Sequence, residues 1–208
     1  MYRPQLFKVE DPEIILDFIR KYSFCTFTTF DGLRPIATHI PIEARGESME
    51  KLTLVGHISK ANLQWQSFKE NQEALTVFSG PHTYVSSGWY DHDNVPTWNY
   101  MAVHAYGIPQ IIEGAPLLDH LNRMVSKYER PSPEPLAWED MSIGMIKRQL
   151  RGIVGFEIKV NRIEAAFKLS QNRNQTDFEN IIHKLRERSD YVSKAVAEEM
   201  EGLKDHLF

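Results

Sequence analysis

Hydrophobic positions near the start of the chain follow two different periods. Ile14, Ile15, Phe18, Ile19 and Tyr22 recur at helical spacing. Asp11 can cap that helix, Pro12 suits its first position, and Glu13 complements the positive end of its dipole. Residues 24–30, Phe-Cys-Thr-Phe-Thr-Thr-Phe, are aromatic and β-branched and predict a strand. Asp31-Gly32 is a two-residue hairpin signal, and a return strand is expected over 33–42. Pro35 and Pro41 remove two backbone donors from it, which suits an edge or a barrel seam.

Further strands are predicted over 51–58, 75–78, 82–88, 98–107 and 108–113. Gly80-Pro81 closes one of them, and a polar and aromatic loop over 89–97 separates two others. Gly56 marks a bend or a close approach within the strand over 51–58. Ser59 can cap a helix over 61–71, with Leu63, Trp65 and Phe68 available for packing. Closely spaced strands with one helix among them predict an antiparallel sheet curled into a small barrel. Repeated βαβ alternation is absent, which disfavours a doubly wound parallel sheet.

After Gly114 the helical period returns at Leu117, Leu118, Leu121, Met124, Val125 and Tyr128. Residues 130–135 form a proline-rich extended connector. Met141, Ile143, Met145, Ile146 and Leu150 mark another helix, and strands are predicted over 152–160 and 162–169. Thr176-Asp177-Phe178-Glu179 reads as a capping box ahead of Ile181, Ile182 and Leu185. A last helix carries Val192, Ala195, Val196 and Met200.

Composition narrows the function classes. The 208 residues are 42% hydrophobic and 25% charged, ordinary globular usage. A formal net charge of −4 gives no whole-chain attraction to nucleic acid or anionic lipid. From Gln171 onward six Lys/Arg are mixed with eight Asp/Glu, a solvated helical face rather than a DNA-recognition helix. Cys25 is the only cysteine, so a disulfide within the chain and a zinc site built on several thiolates are excluded. Its strand setting predicts a buried, inert thiol. The first ten residues lack the apolar core of a signal peptide, and no stretch is apolar enough to span a bilayer, so a soluble cytoplasmic protein is expected.

Candidate chemistry gathers in Gly56-His57-Ile58-Ser59-Lys60-Ala61-Asn62-Leu63, where a strand hands over to a helix. Free amides, a positive dipole end and the Lys60 ammonium favour a phosphate there, with Ser59 and His57 adding hydrogen bonds. The plain alternative is a capped helix with a solvated lysine. Arg34, Ile36, Thr38 and Ile40 share one strand face and His39 lies on the other, so Arg34 and Thr38 can address one ligand. Trp98 and Asn99 offer an aromatic surface and an amide to a planar ring, or belong to a core or an interface. His39, His57, His82, His92 and His104 include no pair at helical metal-ligand spacing beside a carboxylate, although a haem pocket built across strands is conceivable. Phosphate-binding glycine loops and the nucleophile elbow are absent.

The segment 56–63, Trp89-Tyr90, Val95-Pro96-Thr97-Trp98-Asn99-Tyr100 and Lys168-Leu169-Ser170-Gln171-Asn172-Arg173 stand in an order that resembles the PaiB-type, FMN-binding split-barrel regulators. The opening Met1-Tyr2-Arg3-Pro4 fits as well. The resemblance implies an α+β fold: an antiparallel split β-barrel of the flavin-reductase and pyridoxamine-phosphate-oxidase type. It implies a split-barrel domain over 1–170 and a helical extension over 171–208, packed on that domain or on a dimer partner. It further implies a homodimer with FMN at the subunit interface, and negative regulation of degradative-enzyme (protease) synthesis and sporulation. By position, Lys60 and Ser59 would face the FMN phosphate, with His57 and Asn62 in the same segment. Arg34, Thr38 and His39 would line the flavin, and Trp98 and Asn99 would lie near the ring or across the interface. Two alternatives stay open: a flavin-dependent oxidoreductase without DNA contact, and a haem-binding split barrel.

Overall fold

The structure is a computed structural model and describes residues 1–70 and 72–208, the side chains of Lys69, Glu70, Asp205 and His206 excepted. In chain order, the elements begin with β1 (Lys8–Val9), α1 (Pro12–Lys21), β2 (Phe24–Phe30), β3 (Pro35–Pro41), β4 (Glu43–Arg45) and β5 (Thr53–Ser59). A 3₁₀ segment, Leu63–Glu70, leads to β6 (Ala74–Val85), β7 (Thr97–Ile112), α2 (Ala115–Glu129) and α3 (Ile143–Leu150). The chain ends with β8 (Ile153–Lys168), α4 (Gln175–Glu187) and α5 (Tyr191–Leu207). The strands form one antiparallel eight-stranded sheet in the order β3-β2-β6-β7-β8-β5-β4, with β1 paired to β8. This is the antiparallel sheet expected from the strand spacing, within the α+β fold that the resemblance implies.

Backbone proximity divides the chain into two compact units. One comprises Met1–Phe18, Ser79–His104 and Glu164–Phe208; the other comprises Ile19–Phe78 and Ala105–Ile163. In the second unit Phe27 stacks on Phe156 with centroids 4.7 Å apart, and Phe68 meets both rings edge-on. Gly56 lies against this cluster: a Cβ there would come within 2.9 Å of Phe156 Cζ. The close approach expected at Gly56 is therefore to an aromatic side chain. In the first unit Phe178, Ile181, Leu185, Val196, Ala197 and Met200 of α4 and α5 are buried.

Strand breaks expected at glycine and proline do not occur. β6 runs through Gly80-Pro81, β7 through Gly107-Ile108, and β8 unbroken from Ile153 to Lys168. Gly80 meets the Phe18 ring, where a Cβ would sit 2.9 Å from Cε2. Gly107 is needed for close passage of a neighbouring strand, since a Cβ would stand 2.4 Å from the Lys159 carbonyl oxygen. Buried positions in β6 are even-numbered from Ala74 to Gly80 but odd-numbered at Thr83 and Val85, so the strand changes its buried face at Pro81 without ending.

Other differences are local. The hairpin after β2 is four residues long: Phe30 pairs with Pro35, and the Asp31 carboxylate accepts from the amides of Leu33 and Arg34. An aspartate that bonds two amides ahead stabilises a wider loop than Asp-Gly alone suggests. On α1 the buried residues are Ile15, Leu16, Phe18 and Ile19, while Ile14 is half-exposed. The cap of α4 is Asn174, whose side chain accepts from Asp177 N at 2.8 Å, two residues before the expected box. Cys25 is 2% exposed and donates to the Ile40 carbonyl; burial pushes its thiol up to about 12, which keeps it inert at neutral pH. No helix among the described residues is long and apolar enough to cross a membrane.

Two glycine substitutions check this reading. Gly107→Ala forces a methyl group into a strand backbone and should cost about 1–3 kcal/mol in denaturant unfolding. Gly144→Ala in α3 meets nothing within 4 Å and should be neutral or gain up to about 1 kcal/mol from helix propensity. A Gly107→Ala protein as stable as the parent would contradict the close strand approach.

Candidate functional site

The hand-over from β5 to the 3₁₀ segment is tied to the sheet by side-chain amides. Gln64 is 1% exposed. Its Nε2 donates to the carbonyls of Phe27 and Ile36, both at 3.2 Å, and its Oε1 accepts from the Thr38 hydroxyl. Asn62 Nδ2 donates to Thr38 Oγ1 at 2.8 Å, and Asn62 Oδ1 accepts from Gln64 N at 3.1 Å. A fully satisfied buried network of this kind fixes one local conformation. It explains why an expected α-helix over 61–71 is a 3₁₀ segment: the side chains of Asn62 and Gln64 are drawn to the sheet. Asn71, the last residue of that expected helix, lies outside the described residues.

The amides expected to be free for an anion are mostly engaged. Lys60 N donates to Gly152 O at 2.8 Å, Asn62 N to Ser59 O at 2.9 Å, and Ala61 N to Ser59 Oγ at 3.3 Å. What the segment offers a ligand is therefore side chains and cleft shape more than a row of bare N–H groups. Thr38, His57, Ser59 and Asn62 line one cleft of about 500 Å³, together with Gln149 and Gly152. Lys60 lines an adjoining cleft of about 420 Å³ that also holds Arg151 and shares Ile153 with the first. Trp65 Nε1 donates to the Lys60 carbonyl at 3.0 Å, fixing the backbone from which the lysine projects.

Behind His57 stands a pair of residues that no spacing in the sequence reveals. His57 Nδ1 is 3.1 Å from His120 Nε2, and His120 Nδ1 is 3.4 Å from Glu43 Oε2. His120 comes from α2 and is fully buried. Burial, the chief cause, lowers His57 from 6.5 to about 4, so it is neutral at pH 7. Burial tends to raise Glu43, but hydrogen bonds from His120 and Arg45 prevail and hold its carboxyl below the usual range.

The remaining expected residues lie elsewhere. The Arg34 side chain is 82% exposed, pairs with Asp31 at 3.6 Å, and borders a third cleft with Ile36 and Asn62. His39 is exposed on the opposite strand face and meets Thr26 Oγ1 at 3.1 Å. Trp98 and Asn99 belong to the first compact unit. Trp98 is 54% exposed beside His82 and Tyr84. Asn99 is fully buried, accepting from Ser170 Oγ at 3.0 Å and donating to Met200 S at 3.4 Å, so both ends of its amide serve its own unit. Lys168 donates to Thr97 Oγ1 and to the Trp98 carbonyl, and Ser170 takes φ 66°, a conformation rare outside glycine. The 95–100 and 168–173 motifs thus hold each other.

The sheet order and helices define a split-barrel fold, as the sequence led us to expect. Among solved structures, a conserved hypothetical protein from Mycobacterium tuberculosis superposes with a TM-score of 0.59 at 16% identity, covering 84% of this chain and 95% of that one. The FAD and Heme binding protein from Mycobacterium smegmatis gives 0.57 at 11% identity, covering 77% and 73%. Within this class the chain belongs to the family described as "Putative FMN-binding domain", which matches residues 1–162. "Protease synthase and sporulation protein PAI 2" of Bacillus subtilis (strain 168) is 43% identical over 201 residues, 97% of each chain.

The partly buried His57 has a measurable consequence. In the unfolded chain His57 binds a proton near 6.5, whereas in the fold it does so only near 4. Between these values the unfolded state holds more protons, so this contribution is complete above about pH 6.5 and is lost as pH falls toward 4; its size is on the order of 3 kcal/mol. Urea midpoints should decline through that window for the parent and flatten for His57→Leu. A parent midpoint constant from pH 7 to 4.5 would contradict the placement of His57.

Proposed function

We propose that the chain binds FMN in the cleft lined by Thr38, His57, Ser59, Asn62 and Gln149, with the phosphate toward Lys60 and Arg151 of the adjoining cleft. The observation that carries this reading is the convergence of β3, the end of β5 and Asn62 on one cleft, where polar side chains stand among apolar ones, inside the matched family region. A volume of about 500 Å³ lies in the usual range of roughly 300–1,000 Å³ for small-molecule sites. The cleft offers His57, Ser59 and Gln149 for hydrogen bonds to the ligand, and two cations, Lys60 and Arg151, border its neighbour. Ser59 Oγ accepts from Ala61 N, and its O–H can still donate to the ligand. Thr38 and Asn62 shape the wall, since their polar atoms are committed to each other and to Gln64. Bound flavin would supply electron-transfer chemistry, and the protein's part is to bind and orient it.

The biological reading is that of a PaiB-type negative regulator of protease synthesis and sporulation, supported by the 43% identity to the Bacillus subtilis relative. We take the regulator to be a homodimer that acts through its ligand or a protein partner rather than on DNA. The net charge of −4 supports an indirect route.

Flavin fluorescence or absorbance titration tests the site. Parent protein should bind FMN saturably, Lys60→Ala should weaken binding by about tenfold or more through loss of a charge-assisted contact, and Arg34→Ala should change it less than about twofold, as expected for an exposed ion pair. A flat titration with parent protein would refute the reading. Equal affinity for Lys60→Ala would refute the role of the lysine.

A further inference from the structure

The chemical character of His57 at the cleft is set from behind. Glu43 accepts from Arg45 Nη2 at 2.8 Å and faces Arg123 Nη1 at 3.7 Å, while Arg45 Nη1 pairs with Asp119 at 2.9 Å. Held as a carboxylate, Glu43 can only accept, so the His120 nitrogen 3.4 Å from it, Nδ1, carries the proton. His120 is fully buried, out of reach of bulk water. With that single proton on His120, its Nε2 is a bare lone pair that accepts from His57 Nδ1 at 3.1 Å. A neutral imidazole has one N–H, and that of His57 is spent on His120. Its Nε2 is left as an acceptor, on a residue that lines the cleft.

We propose that Glu43 and His120 are positioning residues that fix His57 as a hydrogen-bond acceptor, so that the part of the ligand lodged beside it is an N–H or O–H donor and not a phosphate. In FMN the groups of that class are the imide N–H of the ring and the ribityl hydroxyls. Phosphate oxygens, which need donors, are directed instead toward the Lys60 and Arg151 side. The choice of ligand rests on the flavin reading above; the proton arrangement does not. The groups charged or titratable around the pair come from β4 (Glu43, Arg45), β5 (His57) and α2 (Asp119, His120, Arg123). The low value of His57, about 4, agrees with a ring that stays neutral.

Nitrogen-15 histidine spectra of ligand-free protein at pH 7 read the tautomers directly. Both His57 and His120 should carry the proton on Nδ1. Glu43→Leu leaves nothing to accept from His120 Nδ1, so the pair should invert: His120 donates from Nε2, and His57 bears its proton on Nε2. FMN affinity should then fall about tenfold. A parent His57 that is cationic or protonated on Nε2 overturns the proposal, as does a Glu43→Leu protein whose His57 keeps the Nδ1 proton. Inversion with unchanged FMN affinity overturns the donor group placed beside His57. If Glu43→Leu does not fold, the parent spectrum alone decides. Parent protein with the stated tautomers that fails to bind FMN sinks the flavin reading and leaves the proton arrangement standing.

Discussion

Gln64 is a glutamine with its whole side chain inside the protein, and both ends of its amide are spoken for. Leaving either end unpaired would cost roughly 1–3 kcal/mol, so the segment that carries it has one conformation in which it can rest. That conformation presses Asn62 onto Thr38 and joins the strand end at Ser59 to the edge of β3. The cleft wall, the bend that projects Lys60 and the 3₁₀ geometry all follow from satisfying one buried amide. Packing supports it from below, where Ser67 bonds to Thr29 and Phe68 closes on Phe27 and Phe156.

A second device works in the other compact unit by the same physics. The Lys168 ammonium is held by Thr97 and the Trp98 carbonyl, while Ser170 adopts a strained backbone to reach Asn99. Burial, with the Arg173 charge, lowers Lys168 from its ordinary range. The most specific sequence runs of the chain, Thr97-Trp98-Asn99 and Lys168-Leu169-Ser170, thus encode a lock between a strand end and a turn. Such a lock preserves a particular backbone, which is a reason for unusual residue runs that is independent of ligand contact.

Hydrophobic period sufficed for α1, for β2 and for the helical tail, because each has a local pattern of its own. Strand lengths were less legible. Gly80-Pro81 and Gly107 look like stops in sequence, yet Phe18 and the β8 backbone turn them into points of close passage. The segment around Ser59 announced itself through its mixed polar residues. His120 did not: it sits on α2 among Leu117 and Leu121 with nothing local to mark it, and its meaning arises only when β4 and β5 bring Glu43 and His57 to it. Gln64 was silent for the same reason, since the three partners of its side-chain amide are distant in sequence, two of them backbone carbonyls.

The roles proposed for Lys60 and His57 both turn on where a flavin would sit. The most direct measurement is a crystal structure of the protein grown with FMN. We expect flavin density against Thr38, His57 and Ser59, the phosphate beside Lys60 and Arg151, and the Gln64 amide bonds unchanged. FMN bound away from that cleft, or its phosphate resting on His57, would contradict those roles.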